Sequence, residues 1–457
     1  MNGAFPTRAR PYTWLVSNVL FPMHEWVKRH ASVRVRRALE QSQWWTPEQL
    51  RALQLSRLRA LLAHAQAHVP YYRDLFRASG LAADQFDSVS DLDRLPFLTK
   101  AIIRANTERL KSDRAIDLAR FNTGGSTGEP LVFFISGERV RHDVAAKWRA
   151  TRWWGVDIGD PEMVVWGSPV ELSAQDRARA VRDKLLRTEL LPAFDMSEER
   201  LDGFVERIRA RPPLMLFGYP SSLALIACHA QRRKVRLDDK GIRVAFVTSE
   251  RLYEHQREQI SGTFGCRVAN GYGGRDAGFI AHECPEGGMH ITAEDVVVEI
   301  IDRDGKQARA GVEGEIVVTH LATRDFPFIR YRTGDIAALG DRQCPCGRGL
   351  PLLDEIQGRT TDFVVAADGT VMHGLAVVYP IRELAEVQAF KVIQESIQCT
   401  RVQIVPGGGY GPEIEARIRS GLKARLGQSV EVLVETLPRI PAEKSGKYRY
   451  VVSRVAL

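Results

Sequence analysis

The sequence predicts an α/β fold: a large layered α/β N-terminal domain with an appended β-rich subdomain, and a small α+β domain at the C-terminus. Three observations carry that prediction. From Leu131 to Ala269 short apolar runs alternate with long stretches of helical period, the pattern of parallel strands joined by crossover helices. Past Tyr272 strand text dominates. From about position 360 a hairpin, strands and helices make a run of about 100 residues, an ordinary domain size. The expected divisions are a helical segment over 1–120 packed on the core, an α/β core with its β-rich subdomain over 121–358, and the C-terminal α+β domain over 359–457. With 457 residues, 44% of them hydrophobic, the chain can bury a sizeable core.

Taken in order, the chain opens on basic residues followed by Tyr12 to Val27. His24 and Glu25 interrupt that run and no small-residue cleavage site follows, so it reads as neither a secretory leader nor a membrane span. Two readings stay open: a helix packed on the main domain, or an interfacial helix setting Trp14, Leu20, Phe21 and Trp26 in a membrane surface beside Lys28, Arg29 and Arg34 to Arg37. From Pro47 to Arg77, Leu50, Leu53, Leu58, Leu61 and Leu62 recur at helical spacing. Then comes Phe121-Asn-Thr-Gly-Gly-Ser-Thr-Gly-Glu-Pro130 before the apolar run Leu131 to Ile135. Its glycines and hydroxyls suit a loop that wraps phosphate oxygens, although most such loops are plain turns. Gly128 is followed by Glu129-Pro130 and a strand, where a Walker loop needs Gly-Lys-Ser/Thr and a helix, so the ordinary P-loop fold is not expected.

Beyond the loop the expected elements are helices at 138–154, 174–190, 221–233 and 253–264, and strands at 163–166, 214–217, 244–248 and 267–269. Strands follow at 296–301 and 315–320 around a turn at 302–305. The C-terminal run reads as a hairpin, 362–366 with 370–372, turning at Asp368-Gly369. A helix, strands at 390–394 and 402–405, a second helix at 412–426 and a strand at 430–437 complete it.

The net charge of +8 fits an anionic small substrate, an anionic surface or nucleic acid, but no zinc-finger, RRM or KH signature is present. Arg34 to Arg37, Arg51 to Arg59 and Arg177 to Arg187 read as solvated helix faces. Six cysteines do not make a disulfide scaffold, so a reducing cytoplasm is the expected setting. Cys344-Pro-Cys346-Gly has the shape of a zinc knuckle, and Cys284 with His290 would complete a closed Cys₃His set for structural zinc, with His282 in reserve. Free reduced thiols are the competing reading. Cys228 and Cys399 read as core. Trp166, Phe217 and Tyr219 line either an aromatic substrate slot or plain core.

Four further segments follow the glycine loop in order: Tyr272-Gly-Gly-Arg-Asp276, Tyr331-Arg-Thr-Gly-Asp335, Gly358-Arg-Thr-Thr-Asp362 and Ser445-Gly-Lys447. From about Leu50 onward the chain resembles the adenylate-forming ligases, the superfamily of acyl-CoA and aryl-CoA synthetases. Within it the sequence looks most like the phenylacetate-CoA ligase branch, especially its CapK-type members labelled as capsular polysaccharide biosynthesis proteins. Pro70-Tyr-Tyr-Arg73, the Thr-Gly-Gly-Ser-Thr-Gly loop and Cys344-Pro-Cys-Gly-Arg348 point there.

The resemblance implies ATP and AMP, Mg²⁺ and CoA as ligands, a carboxylic acid substrate and a mobile C-terminal lid. It gives Lys447, with Lys444 close by, the bridging of carboxylate and α-phosphate. Thr123, Gly124, Gly125, Ser126, Thr127 and Gly128 would cradle the β- and γ-phosphates. Ser249-Glu250 would meet adenine, Tyr272 would stack on it, Asp335 would accept from the ribose hydroxyls and Arg359 would reach ribose or phosphate. Asp276 stands where the family usually has the Glu that holds Mg²⁺, and Thr361 stands at the usual acidic hinge position. The expected activity is formation of acyl-AMP and then a CoA thioester. The rivals are a CapK-type adenylating transferase acting on a surface-polysaccharide or lipid intermediate, and a degenerate, non-catalytic nucleotide binder.

Overall fold

The computed structural model describes residues 10–28, 31–122, 131–166, 177–193, 196–302, 304–357, 363–438, 440 and 450–455. The chain divides into two compact units. One comprises Met1–Thr123, Leu131–Gly159 and Ala269–Gly358, the other Gly124–Pro130, Asp160–Val268 and Arg359–Leu457.

The first unit begins with three short helical segments, Pro11–Leu15, Val16–Leu20 and Phe21–Val27, which bury Val16 and Phe21, the latter edge-on to Trp148 at 5.2 Å. The outer face leaves Trp14, Met23 and Trp26 exposed. The helix Ser32–Ser42 follows, and Arg36, expected on a solvated face, is buried there against Trp148 and pairs with Glu40. The predicted leucine stripe forms the helix Pro47–His68, which starts on a Thr46–Gln49 capping box and buries Leu50, Leu58, Leu61 and Leu62. Pro70 cannot continue that helix and instead begins the next, Pro70–Ser79.

Strands β1 (Ala119–Asn122) and β2 (Val132–Ile135) pair antiparallel, so the two ends of the glycine loop are held side by side. The loop residues Thr123 to Gly128 themselves lie outside the described residues. After β2 comes the helix Gly137–Trp153.

In the second unit β3 (Glu162–Trp166), β4 (Thr188–Pro192), β5 (Met215–Gly218) and β6 (Val244–Thr248) run parallel in the order β6-β5-β3-β4. Their helices are Arg177–Leu186, Glu198–Ala210, Pro220–Arg232 and Glu254–Phe264. Met163, Val165, Leu216 and Val247 from the strands meet Leu201, Leu223 and Phe264 from the helices in one core. Two expectations change here. The helix expected to reach Leu190 stops at Leu186, because Arg187 is left-handed (φ 57°) and the next five residues align with β3. The helix Glu198–Ala210 was not anticipated, although Leu201, Phe204, Val205 and Ile208 have its spacing.

The chain then returns to the first unit through β7 (Arg267–Gly274), longer than the expected 267–269. There follow β8 (Gly278–Glu283), β9 (Met289–Ile291), β10 (Val296–Ile301), β11 (Gly314–His320), β12 (Tyr331–Gly340) and β13 (Leu352–Gln357). These seven form an antiparallel run in the order β10-β11-β12-β13-β9-β8-β7.

The C-terminal stretch has the predicted hairpin, β14 (Phe363–Val365) with β15 (Val371–His373). A sheet of β16 (Val387–Ser396), β17 (Cys399–Pro406), β18 (Glu431–Thr436) and β19 (Val451–Ser453) runs in the order β18-β17-β16-β19. Phe390, Val392 and Ile404 of this sheet bury against Ile418 and Leu422 of the helix Pro412–Leu426. The α/β fold class therefore holds. Cys228 does not read out as expected: it is exposed on its helix, and Cys399 is half-buried. Among the described residues no helix is long and apolar enough to cross a membrane.

Candidate functional site

Two of the signature segments have the same form, a tyrosine followed four positions later by an aspartate, and in the fold they exchange partners. Tyr272 on β7 donates its hydroxyl to Asp335 Oδ2 at 3.0 Å, and Tyr331 at the start of β12 donates to Asp276 Oδ2 at 2.5 Å. Phenol-to-carboxylate bonds are charge-assisted, so each fixes the orientation of its carboxylate more firmly than a neutral bond would.

The backbone beneath them is tightly determined. Asp276 lies in the β7–β8 turn, where its Oδ1 accepts from the Ala277 amide at 3.1 Å. Gly278 closes that turn at φ 84°, and a Cβ there would come within 2.8 Å of both the Arg139 guanidinium and the His320 ring. Register shifts at Tyr272/Gly273 on β7 and between Glu315 and Val317 opposite β12 mark irregularities of the bulge type, which bend a strand and interrupt its ladder. On β12 the Thr333 hydroxyl donates to Ile316 O at 2.9 Å and accepts from the Asp335 amide at 3.1 Å, which sets the Arg-Thr-Gly-Asp turn. Arg330 anchors the start of this strand, with Nε and Nη2 on the two Glu299 oxygens at 3.1 and 2.8 Å.

A buried charged cluster supports the turn from below. Arg139 is fully buried, holds Asp143 at 2.9 Å and points its two terminal nitrogens at the carbonyls of Arg275 and Asp276 at 3.5 Å. Burial raises the Asp143 carboxyl, with Arg139 opposing. His142 Nδ1 lies 2.7 Å from Asp295 Oδ1, which Arg57 also reaches at 2.8 Å. Burial alone would raise Asp295, but the charge and hydrogen bond of His142, with Arg57, hold it well below the usual carboxylate range. His320 is pushed well below its ordinary value by burial and by Arg139. Of these residues the sequence placed only Arg57, on a face expected to be solvated, whereas it is half-buried on Asp295 from helix 47–68; Arg139, His142 and Asp143 come from helix 137–153, which no motif marks.

In the second unit Ser249 follows β6 in the left-handed region (φ 74°), a conformation that a serine holds only when its surroundings impose it. The Glu250 carboxylate accepts from the Ser221 hydroxyl, at the start of helix 220–232. Nearby aromatics stack: Trp166 on Tyr219 at 4.4 Å and on Phe217 at 6.0 Å, with Phe217 on Phe246 at 6.0 Å. Phe217 and Tyr219 are buried, while Trp166 is only half-buried.

Of the sequence-derived candidates, then, Tyr272, Asp276 and Asp335 come together in the first unit, and Ser249 and Glu250 neighbour each other in the second. Thr123, Gly124, Gly125, Ser126, Thr127 and Gly128, and also Arg359, Thr361, Lys444 and Lys447, lie outside the described residues.

A second cluster lies at the far end of the β8–β9 hairpin. The ligand atoms of Cys284, His290, Cys344 and Cys346 all lie within 4.8 Å of one another. Cys284 Sγ is 3.5 Å from Cys344 Sγ, too far for a disulfide, and His290 Nε2 is 3.1 Å from Cys346 Sγ. His290 Nδ1 is turned to Leu350 O at 3.3 Å, the kind of contact that aims the other ring nitrogen at a metal. Hydrogen bonding from Cys284 and His290, against the cost of burial, draws Cys346 toward its thiolate. His282, the reserve ligand, is not part of this group; its ring stacks on Phe279 at 5.4 Å.

Residues 364–454 match the CapK C-terminal domain family. The chain is 23% identical to Protein CapK of Staphylococcus aureus over 88% of its own length and 89% of that protein's. It is 28% identical to the phenylacetate-coenzyme A ligase of Thermus thermophilus, over 70% of this chain and 72% of that one. Among solved structures it is similar to 2-hydroxyisobutyryl-CoA ligase in complex with 2-HIB-AMP and CoA in the thioesterification state. There the TM-score is 0.63 at 18% identity, over 90% of this chain and 91% of that one.

Proposed function

We propose that the chain, similar over most of its length to Protein CapK and to phenylacetate-coenzyme A ligases, is an adenylate-forming ligase that joins a carboxylic acid to a thiol at the expense of ATP. A carboxylate oxygen attacks the α-phosphorus, pyrophosphate leaves, and the acyl group is held as acyl-AMP. The thiolate of CoA then attacks the acyl carbon and AMP leaves with the electron pair of the broken C–O bond. The enzyme needs no nucleophile of its own; it must align the reactants and neutralise charge on the phosphoryl oxygens.

The observation that supports this reading most strongly is the exchange of hydroxyl bonds between Tyr272-Asp276 and Tyr331-Asp335. It draws two signature segments, far apart in sequence, into one place with both carboxylates held in fixed orientation. Asp335 takes the ribose hydroxyls, Tyr272 stacks on adenine, and Ser249-Glu250 contacts the adenine edge. Thr123 to Gly128 hold the β- and γ-phosphates, Arg359 reaches ribose or phosphate, and Lys447 supplies the cation between carboxylate and α-phosphate. Asp276 suits Mg²⁺: it is a hard oxygen donor, half-buried, and its two hydrogen bonds leave about two of roughly four acceptor directions open. Mg²⁺ there would shield the phosphate charge.

Cys284, His290, Cys344 and Cys346 would hold a structural Zn²⁺, a closed set with no position left for substrate. Reduced thiols of this kind suit a cytoplasmic enzyme.

ATP–pyrophosphate exchange over a panel of aryl and fatty acids tests the proposal. Exchange that depends on a particular acid is the expected result. Tight ATP binding with no exchange for any acid would favour the non-catalytic reading. Residues 364–454 match the CapK C-terminal domain, and the CapK-type variant of the same chemistry that we set beside this one has a surface-polysaccharide or lipid intermediate as its second acceptor. Product analysis with and without CoA separates the two.

A further inference from the structure

We propose that Tyr331 is a positioning residue for the metal-bound nucleotide, acting by aiming the carboxylate of Asp276. The inference rests on the reading of Asp276 as the Mg²⁺ ligand and adds to it a residue that the sequence motif alone does not single out.

The side chain of Tyr331 has no exposed surface, and its ring packs edge-on to Phe328 at 5.2 Å. Its backbone is pinned from the other side, because the Leu98 amide donates to Arg330 O at 2.9 Å and the Arg332 amide to Leu98 O at 3.0 Å. A hydroxyl on so fixed a ring is a rigid donor. It meets Asp276 Oδ2 at 2.5 Å, while the Ala277 amide holds Oδ1 and Arg139 reaches the carbonyls of the same turn. Aspartate is one methylene shorter than glutamate and has fewer rotamers, so its oxygens stay wherever the turn and these donors put them. The bond from Tyr331 therefore decides which face of the carboxylate is presented to a cation, and an aspartate so held needs no search through rotamers to bind one. Tyr331 touches neither nucleotide nor metal in this account.

The test is ATP affinity measured by calorimetry with and without Mg²⁺, and AMP affinity in EDTA, for the native chain, Tyr331→Phe, Asp276→Asn and the double variant. Tyr331→Phe should lose roughly tenfold of the Mg²⁺-dependent gain in ATP affinity, the size of one hydrogen bond to a charged group. AMP affinity in EDTA should stay within about twofold, which also shows that the variant folds. In the Asp276→Asn background the tyrosine change should add less than about twofold, since its route is already cut. Three results overturn the inference: an undiminished Mg²⁺ effect in Tyr331→Phe, an equal loss of AMP affinity, or full additivity in the double variant. If Asp276→Asn itself leaves the Mg²⁺ effect unchanged, the metal reading of Asp276 fails and takes the inference with it, whereas a loss in Asp276→Asn but not in Tyr331→Phe sinks the inference alone.

Discussion

His320 Nδ1 accepts from the Ala322 amide at 3.2 Å, so the ring that supports the β7–β8 turn must stay neutral on that side. Its folded pKa lies well below the ordinary value, through burial and the adjacent Arg139. As pH falls below about 6.5 the unfolded chain takes up a proton that the folded chain refuses, so the contribution of His320 is constant above that pH and declines below it. The slope approaches about 1.4 kcal/mol per pH unit for this one group. His142 works the other way: burial lowers it, but the charge and hydrogen bond of Asp295 carry it above its ordinary value, so its contribution is complete below pH 6.5 or so and is lost above. Comparison with a variant isolates His320. Denaturant midpoints of His320→Asn, which can still accept the amide, should fall less steeply between about pH 6.5 and 5 than those of the native chain. Identical slopes would show that His320 carries no such linkage. At this scale the sequence names Tyr272, Asp276 and Asp335 through their motifs. It cannot say which tyrosine meets which aspartate, since that depends on the register of β7, β8 and β12, and it is silent on Arg139, whose role exists only in the packed turn.

The Cys344–Gly347 turn does more than collect thiols. Next to it the Gly349 amide donates to Gln43 O at 3.0 Å, and Arg348 Nε and Trp153 Nε1 converge on Gln43 Oε1 at 3.2 and 2.7 Å. The approach is so close that a Cβ at position 349 would stand 1.8 Å from Trp45 O. The cluster thus ties the end of helix 32–42 to the β8–β9 hairpin, and a metal in it would hold both. We expect the purified protein to carry about one Zn²⁺ per chain, and its removal by chelation to lower the apparent melting temperature by roughly 5–10 °C. Metal-free protein that melts unchanged would contradict the zinc assignment. The ligand spacing was readable because knuckles are local, and so were the buried strands β3, β5 and β6, whose apolar runs are bounded by turns. Strand β4 was not readable: Thr188 to Pro192 continues a helical pattern, and only the left-handed Arg187 breaks it.

At the scale of the molecule, the order of five short motifs carried more information than the composition of any segment, because many unrelated chains share a composition and few share an ordered set of motifs. The α/β alternation from 131 to 269 and the compact C-terminal sheet were legible from periodicity. The return of the chain after position 269 to complete the first unit was not, since contacts that distant leave no local pattern. In the proposed reaction a carboxylate attacks the α-phosphorus of ATP. Once the exchange assay has found an acid, that acid should be supplied with both carboxylate oxygens isotopically heavy, and the AMP released in the presence of CoA analysed by mass spectrometry. Attack on phosphorus should transfer one heavy oxygen to the phosphate of AMP in each turnover. AMP formed without the label would mean that the acid never bonded to phosphorus, and would contradict the proposal.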